Sequence, residues 1–255
     1  GMIPYFVQSP LLRAVPGFYH AFVGVDPVPG RALRDQLREV FAVPPSRLGT
    51  LRQVHSAVAL EMEDSDAEGP GRKWREGDAL WTADPGTGVG VRTADCVPVL
   101  LAHPGLRICA AVHAGWRGMA AGVIEETVRC IAARAGSGAA GGFMAAAGPS
   151  ARGCCYEVGE EVAESLLPRP GGPRHLARGK EAGKWRADLQ SLAIEALLDA
   201  GLSRGCVEAA GPCTVCSPRF HSYRREKSLT GRQLSFIYKW DFPDAFTSPS
   251  GLEDP

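Results

Sequence analysis

Two short apolar runs in the middle of the chain place a cysteine and a histidine where they can act together. The runs are Val97–Ala102 and Ile108–Val112, and His103-Pro104-Gly105 separates them. Because a Pro-Gly step is typical of a turn, we expect a hairpin of two strands. Cys96 precedes the first strand and His113 follows the second. The hairpin would bring this thiol and this imidazole to one end of the sheet, as two metal ligands or as a nucleophile and its base.

His55 is the third candidate for such a site, although no local spacing rule connects it to the hairpin. One thiolate and two imidazoles suit zinc, and three protein ligands with an open fourth position are typical of catalytic zinc. Such a zinc lowers the pKa of bound water toward ~7 or polarises a substrate oxygen. The residues alone leave a structural alternative open, because a free cysteine usually behaves as a small buried hydrophobe and a lone histidine often packs in a core.

Four other cysteines form two short motifs. Cys213-x-x-Cys216 can be a redox pair or half of a zinc site, but the sequence has no second C-x-x-C to complete four ligands. The adjacent Cys154 and Cys155 can supply thiols, although vicinal side chains point to opposite sides of an extended chain. We therefore interpret these cysteines as structural or incidental.

A basic segment near the C-terminal end is a candidate phosphate-binding element, since the guanidinium fork matches phosphate oxygens. Its members are Arg219, Tyr223, Arg224, Arg225 and Lys227. The alternative is a solvated strand end. Gly115 and Gly118, at the start of a predicted helix, can also present main-chain amides to an anion, but so short a glycine motif is a weak signal.

Composition restricts the class of protein. The chain has 255 residues, 45% of them hydrophobic, and a formal net charge of zero, so it lacks the basic excess of a general nucleic-acid or anionic-membrane binder. No apolar run approaches the ~20 residues of a membrane span. The first residues lack the basic and apolar regions of a signal peptide. With eight cysteines and no export signal, we expect reduced thiols and a cytoplasmic location.

The pattern of apolar residues predicts a mixed architecture. The expected helices are Arg31–Ala42, Ala120–Ala135, Tyr156–Leu167 and Leu189–Ala200, the last with Asp188 as its N-cap. The expected strands are one or two before Val25, then Thr50–Ser56, Val58–Met62, Asp78–Thr82, Val89–Thr93, the hairpin, Phe143–Ala147, Cys206–Ala210 and Gln233–Tyr238. Pro168–Ala187 is expected to be a loop. This mixture favours an α+β fold, with one domain over residues 2–240 and a flexible tail over 241–255.

Six segments occur in an order that is characteristic of one family. They are QVHS at 53–56, DALWT at 78–82, RTADCVPVLL at 92–101, AAVHAGWRG at 110–118, CCYEVGEEV at 154–162 and FHSYRREKSLTGRQLSFI at 220–237. Together they resemble the multicopper polyphenol oxidase/purine nucleoside phosphorylase family, also called the laccase-domain or YfiH/YlmD-like family. The resemblance implies a four-layer αββα sandwich with mixed β-sheets. It also implies one metal, usually zinc, on His55, Cys96 and His113, which would be both metal-binding and catalytic.

The resemblance also implies an activity. Family members are described as cleaving adenosine, inosine, guanosine and methylthioadenosine with phosphate, which gives the base and a pentose 1-phosphate. Some also deaminate adenosine, and an older description makes them copper-dependent laccases. The expected partners are thus a purine nucleoside and phosphate, without nucleic acid or membrane, for a monomer or homodimer. As substrate-binding candidates we take Arg117 and Arg224 for phosphate, Asp95 as a carboxylate behind the metal ligands and Tyr223 as a pocket wall.

The chain departs from the family pattern in two places. Relatives commonly carry Ser-Thr-Arg-x-Gly-Gly where this chain has Ala21-Phe22-Val23-Gly24-Val25-Asp26, so that arginine is missing. Relatives often read FFSYRRD where this chain has Phe220-His221 and Glu226. If the missing arginine holds phosphate in the family, another residue must replace it here.

Three alternatives to a zinc phosphorylase stay open at this point. The first is a copper-dependent phenol oxidase, although six histidines are too few for a blue-copper site and a trinuclear cluster. The second is a metal-free hydrolase with Cys96 as nucleophile and His113 as base. The third is a binding or regulatory protein that has kept the fold and lost the chemistry.

Overall fold

The computed structural model describes residues 3–67, 69, 71–136, 138–227 and 231–240. The tail from Asp241 lies outside the described residues, as does Met2. The strands are β1 Phe6–Val7, β2 Phe18–Val23, β3 Leu48–Gly49, β4 Ala59–Glu61, β5 Ala79–Thr82, β6 Gly88–Thr93, β7 Val97–His103, β8 Ile108–Ala114, β9 Met144–Ala147, β10 Glu157–Gly159, β11 Leu176–Arg178, β12 Lys184–Ala187, β13 Val207–Ala209 and β14 Gln233–Lys239.

The helices are α1 Pro10–Arg13, α2 Leu33–Phe41, α3 Trp116–Ala120, α4 Val123–Ala135, α5 Glu160–Leu166, α6 Gly172–His175, α7 Leu189–Asp199 and α8 Tyr223–Glu226. Short 3-10 turns occupy Pro45–Arg47, Asp64–Asp66, Ala139–Gly142 and Arg204–Cys206. Within the described ranges, no helix combines the length and the apolar character needed to cross a bilayer.

Two mixed sheets form the body of the molecule, and a small third sheet flanks them. The first sheet has the order β1-β2-β14-β6-β3, and the second has the order β13-β9-β7-β8-β5-β4. Most neighbours are antiparallel, but β3 with β6, β4 with β5 and β13 with β9 are parallel. Strands β10, β12 and β11 make the third sheet. The expected α+β class with mixed sheets is therefore confirmed.

The two large sheets pack face to face, because their strands are apolar on both sides. In β7, Leu100 and Ala102 face the first sheet, where they share a buried cluster with Phe22 and Ile237. The alternate residues of β7, such as Val99, face the opposite way into a different cluster. A strand that is buried on both faces has a nearly continuous apolar sequence, as this one does.

Helices cover the outer faces of both sheets. On the first sheet, Phe236 packs with Leu37 and Phe41 of α2. On the second, the face that carries Val99 packs against α4 and α7, through residues such as Val128 and Leu192. The layer order is helix, sheet, sheet, helix, which is the expected four-layer αββα sandwich.

The hairpin that carries the candidate site forms as expected. Strands β7 and β8 are antiparallel, with Val97 opposite Ala114 and Pro98 opposite His113. Cys96 comes immediately before β7, so it lies at the same end of the hairpin as His113. The Pro-Gly turn at the other end sets this register.

Two expectations for the peptide around the site were wrong. Residues 50–56 form no regular strand, because the amides of Val54, His55 and Ser56 bond to the side chain of Asp78 instead of to a neighbouring strand. In place of the single helix expected from Ala120 to Ala135, the chain forms two helices. The first, α3, begins at Trp116, and the second, α4, begins at Val123 after an interruption. The interruption lies at Gly122, whose φ of 82° is a left-handed conformation that glycine adopts without strain.

The segment 156–187 contains more regular structure than its sequence predicts. Its first residues form β10 before α5 begins, with Gly159 as the N-cap. The stretch expected to be a loop contains α6, β11 and β12. Trp185 of β12 is buried and donates a hydrogen bond to Glu160 at 3.0 Å. These strands are too short to show a periodic pattern, so only their tertiary contacts reveal them. The short helix α1, capped by Ser9, was also missed.

Candidate metal centre and active-site cavity

His55, Cys96 and His113 meet at the open end of the hairpin. One potential ligand atom from each residue lies within 4.8 Å of the other two. Cys96 Sγ is 3.9 Å from His55 Nε2, and the two imidazole rings lie edge to face with centroids 4.8 Å apart. The structure thus brings together three residues that are far apart in the sequence, as the family pattern implied.

Asp78 positions both histidines, a role that its sequence motif does not reveal. Its carboxylate, which is buried, accepts hydrogen bonds from the amides of Val54, His55 and Ser56 at 3.2, 2.9 and 2.6 Å. It also lies 2.7 Å from His113 Nδ1. The turn that it holds gives His55 a φ of 61°, a left-handed conformation that is uncommon outside glycine. Asp78 therefore aims His55 at the cluster while it orients the ring of His113.

The electrostatics of the cluster favour a deprotonated thiol. Burial alone would raise the pKa of Asp78, but hydrogen bonds from His113 and Ser56 hold it well below its usual range. Burial would likewise lower the pKa of His113, but Asp78 and Cys96 raise it to about 9. Burial would raise the pKa of Cys96, but the two histidines lower it to about 6. At neutral pH the site offers a thiolate.

The donor set fits a metal ion. Because Nδ1 of His113 faces Asp78, its Nε2 is left as the ligand atom, an arrangement common in histidine–metal sites. Gly115 leaves the space beside the ligands clear, since a Cβ there would lie 3.0 Å from both Cys96 Sγ and His55 Cδ2. In tetrahedral zinc sites, nitrogen and sulfur ligand atoms lie about 3.3–3.8 Å apart, so a small contraction of this cluster would suffice.

The cluster forms one wall of a cavity of about 630 Å³. This volume is within the range typical of small-molecule sites. Five cationic residues line the cavity: Arg92, Arg117, Arg224, Lys227 and Arg232. Asp95 is the only carboxylate among the described lining residues. The cavity is therefore suited to an anionic ligand beside the three metal-ligand candidates.

The structure places all four predicted substrate-binding residues around this cavity, in different roles. Arg117 is exposed, and its guanidinium lies 4.2 Å from the Trp116 ring centroid. Tyr223 is 54% exposed and forms part of the wall. The Arg224 guanidinium lies 4.9 Å from the ring centroid of Tyr156. These side chains line the cavity without being buried in the core, so a ligand can reach them.

Asp95 is engaged by the protein itself. One carboxylate oxygen accepts a hydrogen bond from Thr214 Oγ1 at 2.7 Å, and the other accepts one from the Arg224 amide at 2.6 Å. Asp95 has a φ of 89°, and it immediately precedes Cys96. Its carboxylate thus connects the start of α8 to the residue before Cys96, so Asp95 positions Arg224 relative to this metal-ligand candidate.

Two other residues of the predicted basic segment, Arg225 and Arg219, have structural roles. Arg225 donates hydrogen bonds to four main-chain carbonyls in the segment 214–220. Arg219 lies over the Tyr5 ring, 4.5 Å from its centroid. Neither residue lines the cavity, whereas Lys227 does. His221 lines a neighbouring cavity instead of the site.

Several cavity residues were not identified from the sequence, namely Gln53, Arg92, Tyr156 and Arg232. Gln53 pairs with the backbone of Arg92 through two hydrogen bonds of 2.7 Å, which fixes the segment before His55 against β6. Burial, followed by the nearby Cys96, raises the pKa of Tyr156 to about 12, so its hydroxyl stays protonated. All four lie within the six segments that carry the family resemblance, and this location is the sequence feature that could have identified them as site residues.

The chain is similar to known proteins of one family. A family model described as multi-copper polyphenol oxidoreductase laccase matches residues 23–239. The chain is 36% identical over 195 residues to purine nucleoside phosphorylase YfiH of Shigella flexneri. The matched residues make up 76% of this chain and 74% of the relative. It is 37% identical over 176 residues to a purine nucleoside phosphorylase of Aquifex aeolicus, over 69% of this chain and 75% of the relative.

Solved structures show the same fold. YlmD from Geobacillus stearothermophilus superimposes with a TM-score of 0.80 at 28% identity, over 91% of this chain and 94% of that one. The Bacillus licheniformis hypothetical protein YfiH gives a TM-score of 0.78 at 25% identity, over 87% of this chain and 92% of that one. These similarities confirm the expected resemblance. The chain belongs to the family described as multi-copper polyphenol oxidoreductase laccase, and the YfiH and YlmD proteins are its homologues.

Proposed function

We propose that this chain is a zinc-dependent purine nucleoside phosphorylase that converts a purine nucleoside and phosphate into the base and a pentose 1-phosphate. The observation that carries the proposal is a three-ligand His–Cys–His cluster that opens into a cavity with five cationic residues. The names of the curated relatives support the same reaction. Adenosine, inosine, guanosine and methylthioadenosine are the proposed substrates.

His55, Cys96 and His113 would hold the metal. Zinc with three protein ligands and an open position polarises a substrate oxygen or activates bound water. The one thiolate and two imidazoles favour zinc over harder cations such as Mg²⁺, which prefer oxygen ligands. Copper accepts the same donors, so metal analysis must decide between the two.

The cationic side chains would hold the nucleophilic phosphate beside the sugar. Phosphorolysis requires a bound phosphate, stabilisation of the positive charge that develops on the sugar, and neutralisation of the leaving base. Arg117 and Arg224 lie on different elements, so they can approach phosphate from two directions. The rings of Tyr156 and Tyr223 provide aromatic surfaces on which a purine can stack.

Arg92 and Arg232 are candidates to replace the arginine that this chain lacks near its N-terminus. Both line the site cavity and also the neighbouring cavity that is bordered by Gly24, Val25 and Asp26. They therefore place positive charge between the site and the segment where relatives carry that arginine. On this proposal, the departure from the family pattern is compatible with phosphate binding.

The proposal is tested by metal analysis and turnover on the same preparation. The protein is purified without chelators, its zinc and copper are quantified, and it is incubated with inosine with and without phosphate. We expect bound zinc, and hypoxanthine release that requires phosphate and stops after zinc is removed. Hypoxanthine release without phosphate would indicate a hydrolase, and phosphate-independent loss of ammonia from adenosine would indicate a deaminase. The absence of any turnover on the four nucleosides would contradict the proposal.

Replacing Arg117 or Arg224 by methionine is expected to raise the KM for phosphate by about 10–100-fold, because a charge-assisted hydrogen bond contributes about 1.5–3 kcal/mol. The KM for inosine should change much less. Initial rates at varied phosphate and saturating inosine measure the effect. Arg219→Met is the matched control, since Arg219 belongs to the same segment but stacks on Tyr5 outside the cavity. An equal rise in the control would show that the effect is general loss of charge.

A metal-free cysteine hydrolase is the second candidate, since one observation favours it. Asp78, His113 and Cys96 form a hydrogen-bonded series in which the thiol is acidified. That arrangement also activates a nucleophile. It gives no role to His55, which faces the same sulfur at 3.9 Å. Zinc binding that blocks alkylation of Cys96 would favour the metal enzyme, and activity that survives zinc removal would favour the hydrolase.

The other two chemistries have less support. A laccase needs several copper centres rich in histidine, but the only other potential ligand cluster in the described part of the chain consists of cysteines. Zinc deaminases use a carboxylate as general acid and base. The two carboxylates beside the cluster are those of Asp78 and Asp95. Both already accept hydrogen bonds from protein donors. Deamination therefore stays a prediction that only the adenosine assay tests.

A further inference from the structure

Four cysteines that the proposed reaction does not use meet at one point on the surface. Sγ atoms of Cys154, Cys155, Cys213 and Cys216 all lie within 4.8 Å of one another. From the sequence alone, structural or incidental roles are expected for them, because vicinal cysteines diverge in an extended chain. The two side chains do not diverge here, because residues 153–155 form a turn that is closed by hydrogen bonds from the amides of Cys155 and Tyr156 to Arg152 O.

The second pair is presented by a turn of its own. Residues 214–216 form a turn in which the Ser217 amide bonds to Cys213 O at 3.0 Å. A bridge between Ser150 and Cys213, together with the bond from the Thr214 amide to Ser150 O, fixes this turn beside the first one. Main-chain hydrogen bonds thus hold both turns side by side, and the short cysteine side chains bring the four thiols together.

The separations match a metal site better than a disulfide. Four thiolates at about 2.3 Å from zinc in a tetrahedron lie about 3.8 Å apart. Cys154 Sγ is 3.7 Å from Cys216 Sγ, and Cys155 Sγ is 3.1 Å from the same atom. A disulfide requires a sulfur–sulfur distance near 2.0 Å. All four residues are free thiols.

The surroundings provide hydrogen-bond donors for a thiolate. The main-chain amides of Arg152, Val215 and Cys216 donate to Sγ of Cys213. Cys213 is buried, whereas Cys154 and Cys216 are exposed, so an ion can reach the site from solvent. Outer hydrogen bonds of this kind orient metal ligands and are a regular part of metal sites.

We propose that Cys154, Cys155, Cys213 and Cys216 bind a second zinc ion, in a closed four-thiolate site that is separate from the His55–Cys96–His113 centre. Four protein ligands leave no open position, which is typical of structural zinc. The ion would connect two turns that are otherwise linked through a few main-chain bonds. Iron is the other metal that this tetrahedral sulfur set accepts, and the test below distinguishes it.

The site would brace one wall of the active-site cavity. Tyr156, which lines the cavity, directly follows Cys155. Thr214, between the cysteines of the second turn, donates to Asp95, which in turn accepts from the Arg224 amide. The second metal would therefore hold cavity residues in place without contact with the substrate.

The test is a count of metal in variants purified under reducing conditions without chelators. We expect about one fewer zinc per chain in Cys216→Ser and in Cys154→Ser than in the unmodified protein. His55→Ala should lose a different zinc, so Cys216→Ser with His55→Ala should lose both. Cys130→Ser is the matched control, since Cys130 belongs to neither cluster, and it should lose none.

Cobalt substitution gives a second readout that does not depend on activity. Co²⁺ bound to the His55→Ala protein should show the intense sulfur-to-metal charge-transfer absorption of four thiolates, and Cys213→Ser should remove it. Unchanged zinc in both cysteine variants, iron in place of zinc, or a Cys155–Cys216 disulfide in protein purified without air would each overturn the proposal. None of these outcomes depends on turnover, so failure here is distinguishable from failure of the phosphorylase proposal.

Discussion

Replacing Cys96 by alanine is expected to abolish nucleoside cleavage and to remove one metal ion per chain. Cys96 supplies the only thiolate of the three-ligand centre, and its sulfur faces both histidines. Two imidazoles alone bind zinc far more weakly than the full set does. The loss should exceed the ~10–100-fold that is typical when only a hydrogen-bond partner of a ligand is removed. Phosphate-dependent hypoxanthine release and zinc content measure the two effects.

The control for this variant is Cys130→Ala, which removes a thiol of α4 that belongs to neither potential ligand cluster. It should keep both the metal and the activity. Circular dichroism and the thermal midpoint should show that Cys96→Ala is folded, because the hairpin pairing does not involve the Cys96 side chain. Normal zinc and normal turnover in a folded Cys96→Ala protein would disprove the assignment of this centre.

The parts of the fold that could be predicted from the sequence depend on local patterns. The apolar runs on both sides of the Pro-Gly turn define the hairpin, and the hairpin alone places Cys96 and His113 at one end. Asp188 caps α7, as expected, by accepting from the Ser191 amide. In such elements, residues close in the sequence determine the outcome, so a single sequence is sufficient.

The parts that could not be predicted depend on contacts between distant residues. Nothing near His55 indicates that the peptide there turns through a left-handed conformation, because Asp78 causes the turn from 23 residues away. Without the family resemblance, His55 would have stayed an unconnected candidate. The strands β11 and β12 were missed for a similar reason, since each is short and becomes regular only in the small sheet.

The four cysteines show how an argument from local geometry can fail. The divergence of vicinal side chains holds for an extended chain, but Cys154 and Cys155 lie in a turn. The predicted helix from Tyr156 gave no indication of that turn. The bridge between Ser150 and Cys213 then brings the C-x-x-C motif alongside, across more than 60 residues of sequence. A four-thiol cluster is thus a property of the tertiary structure alone.

Asp78→Asn is expected to raise the free zinc concentration that gives half-maximal activity by about 10–100-fold, as loss of a ligand's hydrogen-bond partner usually does. One carboxylate oxygen accepts from the His55 amide and faces His113 Nδ1, and the other accepts from Ser56. An asparagine can keep only one of these acceptors, because its NH₂ group would face a donor on the other side. Activity at buffered free zinc concentrations measures the shift.

Asp66→Asn separates this effect from general loss of a buried carboxylate. Asp66 is also fully buried, but it pairs with Arg75, holds the 3-10 turn at residues 64–66, and neither belongs to the ligand cluster nor lines the cavity. The Asp66→Asn substitution should lower the thermal midpoint of unfolding without changing the zinc concentration that activity requires. If Asp78 acts by positioning the ligands, saturating zinc should restore part of the kcat of Asp78→Asn. An unchanged zinc requirement in Asp78→Asn would show that the turn at His55 persists without the carboxylate, and that the two histidines are aimed by the packing around them.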